Sequence, residues 1–498
     1  MSRRRATAVA VAGSVWSAAL GLAAVPVYLS TLGIEAFGLI GFFMTAQAIV
    51  QVLDLGLAPM MNREAAINTA AGDARKARVL LGTLARIYWV TAAAIAAVFA
   101  LAAPTIATAW LDASKLAPHD LSDSIALMGL LIAVRWPIAL YQNTLIGAQH
   151  LGTASALAAV ASTVSVACSV AVVVWLWPQP QALFLTQAAV ALLHAVAARH
   201  LAWRALGGRG DTKASLESLR GVWRFGAGMG GVALTGIALT QLDKAILSKL
   251  LPLAEFGEYM LAVTAAGGLA MFLTPLFNRI FPDFSARVAR GQPDELTAYY
   301  HHGTQVFAVL YLPVVATLGW YAQDLVWAWT GQHQTAVAVA PIIAVLSIGS
   351  AINGLMFFPY SLQLAHGLSR IPLVINTVLL ALTAPLVIVL AREFGAMGGA
   401  MTWAGLQAIY LFVGTFVTHR RIAIGSATTW LSKGVAVPAT ATLVLLAAMH
   451  PVVTLAAPGS PARIALILAG VAVTWLVCAA CLRAPRTSLL AGMLSRTT

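Results

Sequence analysis

The chain has 498 residues, 60% hydrophobic and only 9% charged, with a net charge of +13 and a mean hydropathy of +0.85. An average soluble domain is roughly 25% charged, so too little polar surface is present here to cover a water-soluble globule. A cytosolic enzyme, a secreted domain and a disordered tail are excluded, and the chain reads as an all-α polytopic integral membrane protein.

A bilayer-crossing helix needs about 20 mostly apolar residues. About fourteen such runs are expected on that length criterion, at 8–29, 38–60, 79–103, 124–146, 153–177, 182–202, 225–248, 257–281, 300–321, 337–360, 371–391, 396–418, 434–452 and 462–482. The basic start, Met1 to Arg5, ahead of an Ala/Val-rich stretch has the look of a signal peptide. Its apolar run is too long for one and further spans follow, so a retained first helix is expected. Of the 30 Lys and Arg, only Lys115, Lys249, Arg392 and Arg463 fall on the side opposite the N-terminus, and Arg135 and Lys244 lie within spans. Cytoplasmic loops concentrate Lys and Arg, so both termini are expected in the cytoplasm, and the excess needs no nucleic-acid partner. The longest polar connection, 203–224, is basic and divides the chain as a linker would.

The chain also resembles itself at a spacing near 219 residues. Leu32 to Gly38 (LGIEAFG) recurs loosely as Leu251 to Gly257 (LPLAEFG), Pro59 to Arg63 (PMMNR) as Pro275 to Arg279 (PLFNR), and Ala148 to Leu151 (AQHL) as Ala365 to Leu368 (AHGL). Two six-helix lobes in the same orientation follow: residues 1–202 and 225–418, with two added helices and a cytoplasmic tail in 419–498. Parallel repeats of this kind are a transporter signature, with the substrate site at the repeat interface.

Catalytic and metal chemistry is sparse. No phosphate-binding G-x-x-x-x-G-K-[ST] and no H-E-x-x-H occurs. Glu35 is the single carboxylate of the first outer loop, too few for glycosyl transfer. Cys168, Cys478 and Cys481 all lie in apolar runs, so a disulfide framework is not expected, and the C-x-x-C reads as packing. A carrier with no cofactor and no metal is favoured over an enzyme.

The candidate site residues are the polar groups inside spans. Arg135 lies near the middle of the fourth run, where a bare Arg costs roughly 2.5–3.5 kcal/mol. Two readings stay open: a structural ion pair, or a cation lining a cavity that grips phosphate oxygens. Gln142 and Asn143 follow on the same helical face. In the seventh run Gln241, Lys244 and Ser248 share a face, with Asp243 a quarter-turn away, and a structural and a functional reading are both open. In the second run Gln47, Gln51 and Asp54 share a face, while their counterparts Ala266, Ala270 and Leu273 are apolar. Asp54 is expected to pair with a loop arginine such as Arg63. His194 and His366 read as satisfied by helix contacts. Gly226 and Gly230, like Gly395 and Gly399, read as close helix packing.

Tyr28 to Gly33 (YLSTLG) through Phe37 and Gly38, then Asp54 to Gly56 (DLG) and Asn62 to Glu64 (NRE), resemble the opening of bacterial polysaccharide flippases. Asp243 to Lys249 (DKAILSK), followed by Phe256 to Tyr259 (FGEY), resembles the start of their second half. These belong to the multidrug/oligosaccharidyl-lipid/polysaccharide exporter superfamily. The resemblance covers roughly the first 420 residues. It implies alternating access by two six-helix lobes, carrying an undecaprenyl-pyrophosphate-linked oligosaccharide to the outer leaflet of the inner membrane. It further implies membrane lipids, an H+ or Na+ gradient and polysaccharide polymerase machinery as partners, and a cationic central cavity. Arg135 and Lys244 are its intramembrane candidates, with Arg63 and Arg279 at the cytoplasmic rim. Asp54 and Asp243 are the candidates for ion coupling. A drug or ion antiporter of the same superfamily is the alternative, and an integral-membrane glycan-modifying enzyme a more distant one.

Overall fold

The computed structural model describes residues 3–208, 236–269 and 273–481. Eleven helices among the described residues are long and apolar enough to cross a membrane, and the protein is a polytopic all-α membrane protein. Lipid offers no hydrogen bonds to a bare backbone, so apolar runs of this length close their own N–H and C=O groups as helices. In chain order the helices of the described residues, those too short to cross a membrane included, are α1 (Arg3–Gln51), α2 (Leu57–Ala70), α3 (Arg75–Thr105), α4 (Pro118–Gly147), α5 (Leu151–Trp175), α6 (Pro180–Ala205), α7 (236–250) and α8 (Leu253–Gly267). Then come α9 (Leu273–Ala289), α10 (Pro293–Trp320), α11 (Ala322–Thr330), α12 (His333–Ala365), α13 (Arg370–Phe394), α14 (Ala396–Ile422), α15 (Ala427–Val453) and α16 (Pro461–Cys481). The chain divides into two compact units, Met1–Leu261 with Leu380–Gly399, and Ala262–Leu379 with Ala400–Thr498.

Several boundaries depart from the sequence expectation. The runs at 8–29 and 38–60 are two helices that meet at a single residue: Gly33 (φ 83°, ψ 176°) is non-helical, and the residues on either side of it are helical. Glu35, Ala36 and Phe37 are compatible with helix, and a glycine is the one residue there that takes this conformation without a Cβ clash. The second run also stops short of residue 60. Val52–Asp54 form a tight turn, Leu55 and Gly56 are both left-handed, and α2 starts afresh at Leu57. The run expected at 257–281 is divided between α8 and α9, with 270–272 outside the described residues. Also outside them are the linker beyond Gly208, Gly226, Gly230 and the tail after Cys481.

In the first unit α4 packs against α2, α3, α5 and α6, so it is the helix around which the site is built. Glu35 is buried rather than poised for chemistry. Its carboxylate accepts the backbone N–H groups of Ser114, Lys115 and Leu116 and the Ser114 hydroxyl, fastening the loop before α4.

The two copies of the first repeated motif touch. A Cβ on Gly38 would run into the carbonyl of Leu253 and the nitrogen of Gly257, and one on Gly257 into the carbonyl of Ile34 and the nitrogen of Gly38. Shifted by the repeat spacing, Ile34 becomes Leu253 and Gly38 becomes Gly257. The contact is therefore reciprocal, as at a two-fold axis. Gly41 meets Met260, its own counterpart at the same spacing. Gly399 likewise lets the start of α14 lie against Leu247 and Tyr259.

In the second unit the core is aromatic: Phe284, Tyr300, Phe358 and Trp430 are all fully buried. The connection after Tyr321 forms the short α11, whose Asp324 pairs with Arg463 of α16 at 2.9 Å, both side chains nearly buried. Arg463→Ala is expected to lower stability by about 3–5 kcal/mol, because it strands the carboxylate. Thermal denaturation in detergent measures it, and Asp324→Asn added to the same protein is expected to recover part of the loss.

Candidate substrate-binding site

Arg135 sits between two cavities of the first unit. The first, about 410 Å³, is lined by Gln47, Gln51, Asp54, Tyr88, Arg135, Trp136 and Asn143, among others. The second, about 400 Å³, lies among α4, α5 and α6 and is lined by Arg135, Gln142, Gln187 and His194 with two serines of α5. α4 turns one face to each, which is how a single guanidinium reaches both.

The partners of Arg135 bear on its two readings. Its Nη1 donates to Oε1 of Gln47 and its Nη2 to Oε1 of Gln187, each at 2.9 Å. Phe43 lies under the guanidinium, 5.3 Å from carbon to ring centre, a cation–π distance. No carboxylate pairs with Arg135 among the described residues. The structural ion-pair reading finds no partner carboxylate among them. Neutral amides satisfy the N–H groups but leave the charge uncompensated, and a buried charge without a counter-ion is costly.

Asp54 is not paired with Arg63, contrary to the sequence expectation. Its carboxylate accepts the hydroxyl of Tyr88 and, at 3.4 Å, the backbone N–H of Ala58. Arg63 bonds its neighbour Glu64 at 2.9 Å instead. The turn at 52–56 carries Asp54 towards α3, which a straight helix through residue 60 would not do. Gln142 and Asn143, expected on one face, separate between the cavities. Asn143 lines the first and accepts from Asn62 at 3.3 Å, while Gln142 lines the second and meets His194 at 3.3 Å. His194 is thus held by a side chain of another helix, whereas His366 bonds the Leu362 carbonyl in its own helix, as expected.

The remaining candidates are engaged elsewhere. Lys244 contacts both carboxylate oxygens of Asp243 at 3.2 Å and the Thr240 carbonyl at 2.6 Å. Asp243 in turn accepts the hydroxyl of buried Tyr259 at 2.7 Å, tying α7 to α8. Gln241 reaches Thr240, at 3.5 Å. Ser248 accepts from Trp110 at 3.1 Å. None of these lines either cavity. Arg279, in the second unit, pairs with Asp283 at 3.4 Å. Sequence reasoning missed Gln187, Tyr88 and Trp136 as cavity groups. The spacing of Gln187 and His194, seven residues apart on α6, was a usable signal, since it places both on one helical face.

A family model described as polysaccharide biosynthesis protein matches residues 4–287. No curated protein matches the chain in sequence. Among solved structures the fold is similar to that of the lipid II flippase MurJ in its inward closed conformation, with a TM-score of 0.70, 10% identity, and 94% of this chain and 97% of that chain covered. A multidrug resistance MATE family transporter of the MOP superfamily, inward-facing, gives a TM-score of 0.66 at 12% identity, covering 82% of this chain and 94% of the other. A MOP superfamily transporter from Pyrococcus furiosus gives 0.55 at 14% identity, covering 84% and 95%.

Proposed function

Because the chain belongs to the polysaccharide biosynthesis protein family, we propose that it is a flippase carrying an undecaprenyl-pyrophosphate-linked oligosaccharide from the cytoplasmic to the outer leaflet of a bacterial inner membrane. The cargo feeds exopolysaccharide or other cell-surface polysaccharide synthesis, with the polymerase machinery acting after it. The observation that carries this reading is Arg135, a guanidinium at mid-span whose hydrogen-bond partners among the described residues are amides, with a cavity on either side. An anionic, polar cargo crossing the bilayer needs such a group, and a guanidinium can hold phosphate oxygens in a fork. The first cavity adds the groups sugars use: the amides of Gln47, Gln51 and Asn143 and the rings of Trp136 and Tyr88.

In this reading the two six-helix lobes, 1–202 and 225–418, alternate access, and both termini face the cytoplasm. Asp54 is the carboxylate lining the first cavity, beside a broken helix, and it is our candidate for coupling to H+ or Na+. The pairing of Asp243 with Lys244 and Tyr259 favours a structural role for both charges. The protein is a carrier in this scheme and makes no covalent change to its cargo. Deleting the gene is expected to leave intact lipid-linked repeat units facing the cytoplasm, measured by leaflet-resolved labelling of the glycan. Units that are shortened or unpolymerised yet already facing outward would point to an enzyme instead.

A further inference from the structure

The cavity among α4, α5 and α6 has a chemistry of its own. Ser162 and Ser165 of α5 line it together with Arg135, Gln142, Gln187 and His194. A serine inside a helix commonly returns its hydroxyl to the carbonyl four residues back, as the neighbouring Thr163 does at 2.8 Å. Ser162 and Ser165 form no such bond among the described residues, so both hydroxyls are open to the cavity. The orientation of Gln187 is fixed by chemistry, because a guanidinium only donates. Its carbonyl oxygen therefore faces Arg135 at 2.9 Å, and its two N–H donors have no protein partner among the described residues. No carboxylate lines this space.

One uncompensated cation, two open hydroxyls and a free amide N–H₂ around about 400 Å³ form a set of donors awaiting an acceptor. We infer that this cavity is a binding site for a phosphate-class oxyanion. Arg135 supplies the charge, and Ser162, Ser165 and Gln187 supply neutral donors. His194 adds a second positive donor when it is protonated. Arg135 and His194 are the titratable groups facing the space from α4 and α6, and α5 contributes none to the lining. The first cavity differs, since it holds the Asp54 carboxylate. The site itself is independent of the transport reading. Only the source of the oxyanion rests on it: free inorganic phosphate, or the diphosphate of a lipid-linked cargo.

Sulfate is the suitable probe, because it keeps its charge over the pH range in which histidine titrates. Equilibrium binding of radiolabelled sulfate to the purified full-length protein is expected to be saturable. It is expected to tighten as the pH falls below 8, because the bound anion favours the protonated form of His194. His194→Gln keeps a hydrogen-bonding side chain but cannot take up the proton, and is expected to remove the pH dependence. Ser162→Ala with Ser165→Ala is expected to weaken binding at least about a hundredfold at every pH, two lost hydrogen bonds to a charged ligand. Displacement of the label by undecaprenyl pyrophosphate supports the site with the lipid as its source, and its retention supports the site with free anion as its source. Absence of saturable binding, or equal binding in the wild type and the double serine variant, overturns the site. Binding is measured without transport, so that failure leaves the flippase reading standing. Loss of flipping in protein that still binds sulfate would count against the flippase reading alone.

Discussion

Arg135→Ala is expected to leave the amount of folded protein unchanged while lowering flipping at least about a hundredfold. A buried Arg that answered a carboxylate would behave in the opposite way. Its removal would strand the partner charge and cost about 3–5 kcal/mol. The partners here are the neutral amides of Gln47 and Gln187, so alanine leaves no charge behind. The cost of the guanidinium itself, roughly 2.5–3.5 kcal/mol at mid-bilayer, is relieved rather than added. Transport is affected for a separate reason: hydrogen bonds from a charged donor are worth roughly 1.5–3 kcal/mol each, and the fork supplies more than one. Arg135→Lys is expected to keep part of the activity, since charge stays while the planar fork is lost. Abundance by immunoblot and flipping in vesicles, measured on the same preparations, separate these effects. A collapse in abundance with Arg135→Ala would show that the residue is structural.

The second large effect is expected at the reciprocal glycine contact. Gly38→Ala and Gly257→Ala each place a methyl against a backbone carbonyl of the opposite motif, Leu253 or Ile34. A carbonyl within a helix or at its start cannot swing aside as a flexible side chain can, so the two segments must separate. Overpacking of this kind costs typically 1–3 kcal/mol and sometimes more. The two variants are expected to lose stability to a similar degree, because each meets the counterpart of what the other meets. Gly21→Ala is the control: open space surrounds that position in α1, and alanine favours helix over glycine by about 1 kcal/mol. Its melting temperature in detergent is expected to hold or rise, while those of the other two fall.

Fold class was legible because it rests on composition and run length, and both act at every residue. Breaks inside spans were less legible. The first two runs were read as separate helices, and the connection between them narrows to one non-helical residue, Gly33. The turn at 52–56 lies in an apolar sequence, and only its two left-handed residues reveal it. The same difference of range explains the site. Arg135 stood out because an isolated charge in a span is costly wherever it points. Its partners did not stand out, since Gln47 and Gln187 lie 88 and 52 residues away and are joined to it only by helix packing. Asp54 was assigned to Arg63 by nearness in sequence, and the fold brings Tyr88 to it from α3. The repeated motif was visible as a weak echo, and the structure gives it a physical reason. Both glycines are needed at one contact, where neither helix has room for a Cβ.

The most direct test is reconstitution. Purified protein in liposomes, supplied with an undecaprenyl-pyrophosphate-linked oligosaccharide in one leaflet, is expected to move it to the other with the glycan intact. Arg135→Ala protein, inserted in equal amount, is expected to leave it where it was placed. Equal transfer by the two proteins, or a glycan lengthened or cleaved in the process, would contradict the assignment.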